Sequence, residues 1–355
     1  MFKESYNVLG IMSGTSLDGI DIAHIHFHIE NKKWQYDILE CETIPYTSEW
    51  LERLKVAVDF SANELTKLNE DYTLLLGNTI KSFIKKHKLN NLDAVCSHGH
   101  TILHQPQNGY TLQIGNLPEI AEIVGVTVVC DFRVQDVKLG GQGAPLVPIG
   151  DRILFSEYDY CLNLGGFSNI SFEENGKRIA FDISPVNTVL NFYANKLGLA
   201  YDDKGKIARS GETDLNLMEE LDALSYYQKP FPKSLGFEFV KTVALPLMES
   251  YDISIEDKLH TFVKHIAKQT AFALPDRSGK ILITGGGAYN TFLLESMQNY
   301  LPEMNLVVPD AKTLEYKEAL IFALLGILKL RKEINVLSSV TGAKKDHSSG
   351  KIYQI

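Results

Sequence analysis

The chain holds 355 residues, 45% of them hydrophobic, which suffices for two domains with substantial cores. A formal net charge of −9 with no basic block argues against nucleic acid as a partner. The opening residues MFKESYNVLGIM lack the long apolar stretch of a signal peptide, and the run Ala319 to Leu330 is too short to span a bilayer. Cys41, Cys96, Cys130 and Cys161 stand far apart without a CxxC pair, so the expectation is a cytoplasmic protein with reduced thiols and no membrane partner.

In chain order, Val8 and Leu9 lead into GIMSGTSLDGID (Gly10 to Asp21), and Ile20 and Ile22 lead out, which predicts a strand, a glycine-rich turn and a returning strand. Turn N–H groups form a nest for an anion, with Ser13, Thr15 and Ser16 as further donors. Asp18 and Asp21 would repel phosphate unless a divalent cation lay between them, and magnesium takes one or two carboxylates plus phosphate oxygens. The hairpin therefore reads as a cradle for Mg2+ and ATP phosphates, built from Gly14, Thr15, Ser16, Leu17, Asp18, Gly19, Ile20 and Asp21, with Asp18 and Asp21 toward the metal.

The returning strand is apolar at Ile20 and Ile22, then at Ile25, Phe27 and Ile29, so its alternation slips near Ala23 and predicts a bulge. His24, His26 and His28 then share the other face. Their spacing suits a metal, but no carboxylate or cysteine cluster joins them in the sequence, and a solvated strand face is the simpler expectation.

Helical periodicity follows from Glu49 to His87, with Ser61 as the cap between two helices. A buried strand at Asp93 to Ser97 feeds His98-Gly99-His100. Another, Val126 to Cys130, ends at Asp131, before the glycine-rich connection Lys138 to Pro148. The opening pattern then recurs as strand Cys161 to Leu164, a turn at Gly165-Gly166, and strand Ile170 to Phe172. A third turn, Gly285-Gly286-Gly287, follows strand Ile281 to Thr284 and opens onto a helix near Asn290. The recurrence predicts two related domains, 1–131 (completed by the C-terminal segment) and 132–335, facing each other across a ligand cleft.

Taken in order, several motifs resemble one family. They are GIMSGTSLDGID, SHGHT at Ser97 to Thr101, QIGN at Gln113 to Asn116, DFR at Asp131 to Arg133 and GGQGAPLVP at Gly140 to Pro148. NLGGFSN at Asn163 to Asn169, Phe181-Asp182, PKS at Pro232 to Ser234, GGGAYN at Gly285 to Asn290, Glu318-Ala319 and VTGA at Val340 to Ala343 continue the series. The family is that of the anhydro-N-acetylmuramic acid kinases, within the actin-like ATPase and sugar kinase superfamily. The resemblance implies an α/β chain of two actin-like (ribonuclease-H-like) domains facing across a nucleotide-binding cleft. It implies an ATP- and Mg2+-dependent kinase that hydrolyses the 1,6-anhydro ring of its amino sugar and phosphorylates the 6-oxygen, giving N-acetylmuramic acid 6-phosphate in cell-wall recycling. Its partners would be the sugar and ATP, with a homodimer as one assembly.

By the same resemblance Asp182 is the general base for the attacking water, although a lone aspartate before Ser-Pro also reads as a helix cap. Gly165, Gly166, Gly285, Gly286, Gly287 and Asn290 are the expected nucleotide contacts of the second half. Arg133 would hold the sugar's lactyl carboxylate or make an ordinary salt bridge. Glu318 would meet a sugar hydroxyl or favour a helix N-terminus. His98 would bond a sugar hydroxyl or be a satisfied buried histidine. The chain departs from the family's usual DTGPGN with DISPVN at Asp182 to Asn187, has His100 where glutamine is common, and has Phe237 where an arginine is common. Ser184 and Val186 in place of glycines predict a loop that follows a different path or crowds the sugar. A kinase for a related sugar, or a non-catalytic ATP-binding switch or sensor, are the alternative readings.

Overall fold

The computed structural model describes residues 2–14 and 17–355. Its strands are β1 (Ser5–Ser13), β2 (Ile20–Glu30), β3 (Lys33–Ile44), β4 (Ala94–Gln105), β5 (Tyr110–Ile114), β6 (Val128–Cys130), β7 (Tyr160–Leu164), β8 (Phe167–Glu174), β9 (Lys177–Pro185), β10 (Gly279–Thr284), β11 (Met304–Val307) and β12 (Lys351–Tyr353). They form two sheets, ordered β3-β2-β1-β4-β6-β12, with β5 also paired to β4, and β9-β8-β7-β10-β11.

The two sheets share one plan. Three strands run as an antiparallel meander, the first of them pairs in parallel with a fourth, and the fourth pairs in parallel with a fifth. Parallel neighbours need crossover helices on the sheet faces, so both sheets are covered and their central strands carry buried apolar runs such as Val8–Leu9, Ala94–Cys96 and Ile281–Ile283. This repeated order, 3-2-1-4-5 with an antiparallel second strand, is the ribonuclease-H-like plan of actin-like domains. The chain is α/β, as expected.

The first unit comprises residues up to Leu154 together with Tyr316–Ile355, and the second is Phe155–Glu315. These divisions differ from 131 and 335, the bounds expected from the motifs. Residues 134–154 belong with the first sheet because they bond to the C-terminal segment: buried Asp136 accepts from Thr341 Oγ1 at 2.8 Å, and Gly150 packs against Ile321. The later division falls where the helix Ala311–Leu330 loses helical geometry at Tyr316 (φ −110°, ψ 17°). Among the described residues no helix is long and apolar enough to cross a membrane.

In the first unit, helix Ala62–Lys86 starts at Ser61 with a capping box, Ser61 N–H donating to Glu64 Oε2 at 2.8 Å. Its buried stripe (Leu68, Tyr72, Leu76, Ile80, Phe83) covers Leu9, Ile11, Ile20 and Ile22. The opposite face meets the helix through Ala319, against which Gly10 lies. This double cover explains the apolar slip in β2, and an irregularity does fall beside Ala23 as expected, though in the β2–β3 ladder rather than in the β1–β2 ladder. Pairing of β2 with β1 is continuous from Asp21 to His28, and strict alternation puts Ile22 on one face and Ala23, Ile25 and Phe27 on the other. Both sets are buried because both faces are covered. The register shift lies against β3, between Ala23 and Ile25. The second unit builds its core from Leu162, Leu164, Ile170, Ile281 and Ile283 against Leu259, Phe262, Val263 and Ile266 of helix Ile255–Ala273.

Candidate active site

Two described residues between β1 and β2 have unusual backbone geometry. Leu17 N–H donates to Gly14 O at 3.2 Å, and Leu17 itself sits at φ +63°, which a bulky side chain rarely adopts. Gly19 has φ +154°, and a Cβ there would stand 2.6 Å from Ile44 O, so only glycine fits. Thr15 and Ser16 lie outside the described residues. Asp18 is exposed, while Asp21 is half-buried and accepts from Thr43 Oγ1 at 2.6 Å. Ser13, expected as a phosphate donor, is buried, and its hydroxyl is engaged by Tyr46 OH at 2.6 Å and His100 Nδ1 at 2.8 Å.

The Ser13 contacts extend into the core, since Tyr46 OH meets Tyr72 OH at 2.5 Å. Burial lowers the His100 pKa to about 4 from its ordinary 6.5. An unfolded chain therefore takes up a proton at His100 more readily than the folded one. The histidine's contribution to stability is complete above pH 6.5 and is lost as pH falls toward 4, with a slope of up to about 1.4 kcal/mol per pH unit. Urea midpoints should fall between pH 7 and pH 5, and His100→Gln should flatten that fall. An equal fall in the variant would show that His100 is not responsible.

A second chain of contacts runs from β4 to the C-terminal segment. His98 Nδ1 donates to Gly99 O at 2.9 Å, and its Nε2 accepts from Arg133 Nε at 2.8 Å. Arg133 Nη1 donates to Gly143 O at 2.7 Å, and Gly143 N–H donates to Asp136 Oδ2 at 2.6 Å. Both nitrogens of buried His98 are thus used within the protein. Burial, and then the Arg133 charge, hold its pKa well below the ordinary 6.5. His98 orients Arg133 and has no ring nitrogen left for a sugar hydroxyl, so of its two expected roles the structure fits the satisfied buried histidine.

Arg133 has its pKa lowered to about 10 by burial, opposed by Glu318 and Asp136, and it stays cationic at neutral pH. Glu318 keeps solvent access, but its low-dielectric surroundings push its carboxyl up, Arg133 pulls it down and Asp21 pushes it further up. Glu318 thus feels the charges of both Asp21 and Arg133, two other expected site residues of the first unit.

In the second unit Asp182 lies on β9, half-buried, opposite Asn169 of β8. Residues 233–235 grip it: Asp182 N–H donates to Lys233 O at 3.1 Å, and Leu235 N–H donates to Asp182 Oδ2 at 2.8 Å. Tyr226 OH donates to the Asp182 carbonyl at 2.6 Å. Among the described residues no donor takes Oδ1. Burial raises the carboxyl above its ordinary 3.8, partly offset by the Leu235 N–H. Asp182 caps no helix, since the first turn of helix Asn187–Lys196 bonds through its backbone to the Gly165 and Gly166 carbonyls.

Those carbonyls are spent, but among the described residues no hydrogen bond takes the N–H of Gly165 or Gly166. Gly285 has φ +82° and packs against Leu164 and Asn163, and Gly287 packs on Leu164, so this turn closes on the end of β7. Asn290 works as a helix cap, its Oδ1 accepting from Leu293 N–H at 3.0 Å. The departures from the family pattern are absorbed inward. Ser184 and Val186 are fully buried, Val186 at φ −128° within the core and Ser184 bonded to Ser168, so neither side chain enters solvent-accessible space beside Asp182. Phe237 is exposed.

Sequence reasoning did not single out Leu235, Tyr226 or Asp136. Leu235 acts through its backbone N–H, which leaves no trace in residue type, and Tyr226 through a hydroxyl 44 residues along the chain from Asp182. Asp136 stands between Gln135 and Val137 in VQDVK, a mixed segment that gives no sign of its burial.

Residues 6–355 match the profile of the family described as anhydro-N-acetylmuramic acid kinase. The anhydro-N-acetylmuramic acid kinase of Nitrosospira multiformis (strain ATCC 25196 / NCIMB 11849 / C 71) is 34% identical over 369 residues, covering 99% of each chain. That of Francisella tularensis subsp. novicida (strain U112) is 33% identical over 371 residues, covering 97% of each. Among solved structures, component A of the (R)-2-hydroxyglutaryl-CoA dehydratase of Acidaminococcus fermentans aligns with a TM-score of 0.45 at 14% identity, over 92% of this chain and 100% of that one. With its motifs in family order and its length covered almost end to end, the chain belongs to the anhydro-N-acetylmuramic acid kinase family.

Proposed function

We propose that this chain is a cytoplasmic, ATP-dependent kinase that opens the 1,6-anhydro ring of anhydro-N-acetylmuramic acid and phosphorylates the freed 6-oxygen, in cell-wall recycling. One observation carries the chemical part of this reading: Asp182 has one carboxylate oxygen fixed by Leu235 N–H, the other without a donor among the described residues, and its pKa raised by burial. A carboxylate so held is oriented, accessible and more basic than an ordinary aspartate, as a general base requires. Asp182 accepts a proton from water as the water attacks the anomeric carbon. The bond from that carbon to the 6-oxygen breaks, the 6-oxygen takes the γ-phosphoryl group, and ADP leaves.

Arg133, preset by His98 and Gly143 O, presents its remaining N–H groups to the sugar carboxylate. Glu318 accepts from a sugar hydroxyl. The turn Gly14 to Asp21 and the bare N–H groups at Gly165 and Gly166 receive phosphate oxygens, and Gly285 to Gly287 lie against the nucleoside. Asp18 and Asp21 suit Mg2+, because they offer only oxygen donors and Asp21 stands near a second carboxylate, Glu318. Bound there, Mg2+ would neutralise charge on the phosphates.

Two measurements test the reading. ATP consumption should be fast with the anhydro sugar and slow with reducing amino sugars; equal rates would favour a simple sugar kinase, and none with any sugar would favour a sensor. The acid limb of kcat/KM should lie above the ordinary aspartate value, because the base works only when ionised and Asp182 holds its proton to higher pH. A limb unchanged in Asp182→Asn would assign that titration elsewhere.

A further inference from the structure

The structure supplies the carboxylate that the histidines of β2 lack in sequence. β2 and β3 pair with His26 opposite Asp37 and His28 opposite Gln35, so Asp37 stands on the same face as both histidines. One nitrogen of each ring and one carboxylate oxygen of Asp37 lie within 4.8 Å of one another. His26 Nδ1 is already 3.7 Å from Asp37 Oδ2, and the two imidazoles stack at 5.5 Å with 24° between their planes. His24, the third histidine of the pattern, takes no part: it is buried and its Nε2 meets Asn7 Oδ1 at 2.5 Å.

We propose that His26, His28 and Asp37 form a binding site for a borderline divalent transition metal, with zinc as its best ligand. Two imidazoles and a carboxylate are a donor set for zinc, and a hard ion such as Mg2+ prefers oxygen. Ligand atoms around a tetrahedral zinc stand roughly 3.3 Å apart, from bond lengths of about 2.0–2.2 Å, so side-chain rotation of about an ångström closes the site. Two further features favour it. Ser5 Oγ lies 2.8 Å from His26 Nε2, so with Nδ1 on the metal the opposite nitrogen donates to Ser5, the outer contact that fixes a ligating imidazole. His28 Nδ1 is shielded and has no hydrogen-bond partner among the described residues, so that ring is not committed to the protein. Asp37 and His26 keep side-chain exposures of 60% and 39%, which leaves an entry path and an open fourth position for water. The site lies five to seven residues along β2 from Asp21, roughly 16–24 Å at about 3.3 Å per residue, so it is separate from the nucleotide turn. Zinc there would clasp the outer ends of β2 and β3.

Calorimetric titration of the full chain with zinc chloride tests this, with magnesium chloride as the contrasting ion. The expected result is saturable binding of one zinc per chain at this site, with no comparable heat from magnesium. His28→Gln, His26→Gln and Asp37→Asn should each weaken zinc about tenfold or more, and Ser5→Ala by less. His87→Asn should change nothing, because His87 is bonded to Glu42. Asp37 is exposed and its substitution removes no packing, so Asp37→Asn keeps the test valid if a histidine variant fails to fold. Kinase turnover of the His28→Gln protein without zinc should equal the parent's. No saturable zinc binding, or binding undiminished in His28→Gln and Asp37→Asn, would overturn the proposal, the second by moving zinc to other carboxylates.

Discussion

Replacing Asp182 by asparagine is expected to lower turnover ~10²-fold or more while leaving ATP affinity unchanged. Asparagine keeps the shape of the side chain and, through its oxygen, the bond from Leu235 N–H, so β9 and residues 233–235 should stay in place. What it loses is the capacity to take a proton, and with it the acid limb of the pH profile. The split between kcat and ATP affinity separates this from a folding defect: calorimetry with ATP should match the parent, and the melting temperature should hold or rise, because a desolvated carboxylate has been replaced by a neutral amide. A variant that turned over the anhydro sugar at the parental rate would remove Asp182 from the mechanism.

The expectation for Asp182 came from its place at the end of an apolar stretch within a motif series. That kind of signal was legible because strands advertise themselves by composition and glycine turns by residue type. The two hairpins, at Gly14 and at Gly165, each proved to open a sheet of the same strand order. What the sequence hid was everything set by pairing across long separations. His98 reads as a donor in a loop, and only the fold places Arg133 Nε on its second nitrogen. The β2 slip reads as a bulge, and a register shift does lie there against β3, but the apolar pattern itself follows from cover on both faces of the sheet. Ser184 and Val186 read as intrusions beside the base, yet the chain turns both into the core because Val186 N–H bonds to Gly166 O at 2.8 Å and its side chain faces inward. Asp37 is eleven residues from His26 and joins it only because the β2–β3 turn at Asn31 and Lys32, both at positive φ, is tight.

Gly10 sits at the junction of fold and site, and Gly10→Ala should be among the most destabilising single-methyl additions in this chain. A Cβ built on Gly10 overlaps the backbone carbonyl of Ala319, with the carbonyl carbon at 2.7 Å and Ala323 Cβ at 3.0 Å. Neither side can give way. β1 is held between β2 and β4, Gly10 pairing with Ala23 and with Cys96, and the obstacle is helix backbone rather than a flexible side chain. Overpacking of this kind costs about 1–3 kcal/mol or more, which in a unit of this size lowers the melting temperature by roughly 2–4 °C per kcal/mol. Any relief must push the helix off β1, and Glu318 is the residue next to Ala319, so the spacing of Glu318 from Asp21 changes with it. Activity should therefore fall further than the unfolded fraction explains. Gly326→Ala provides the contrast: its Cβ overlaps the Cys96 Sγ, a side-chain atom, with Cys96 Cβ at 2.7 Å. Adding Cys96→Ala should recover part of the stability lost in Gly326→Ala and none of that lost in Gly10→Ala. Thermal melts of the two single and two double variants decide the matter, and a Gly10→Ala protein melting with the parent would show that β1 and the helix are not in such close contact.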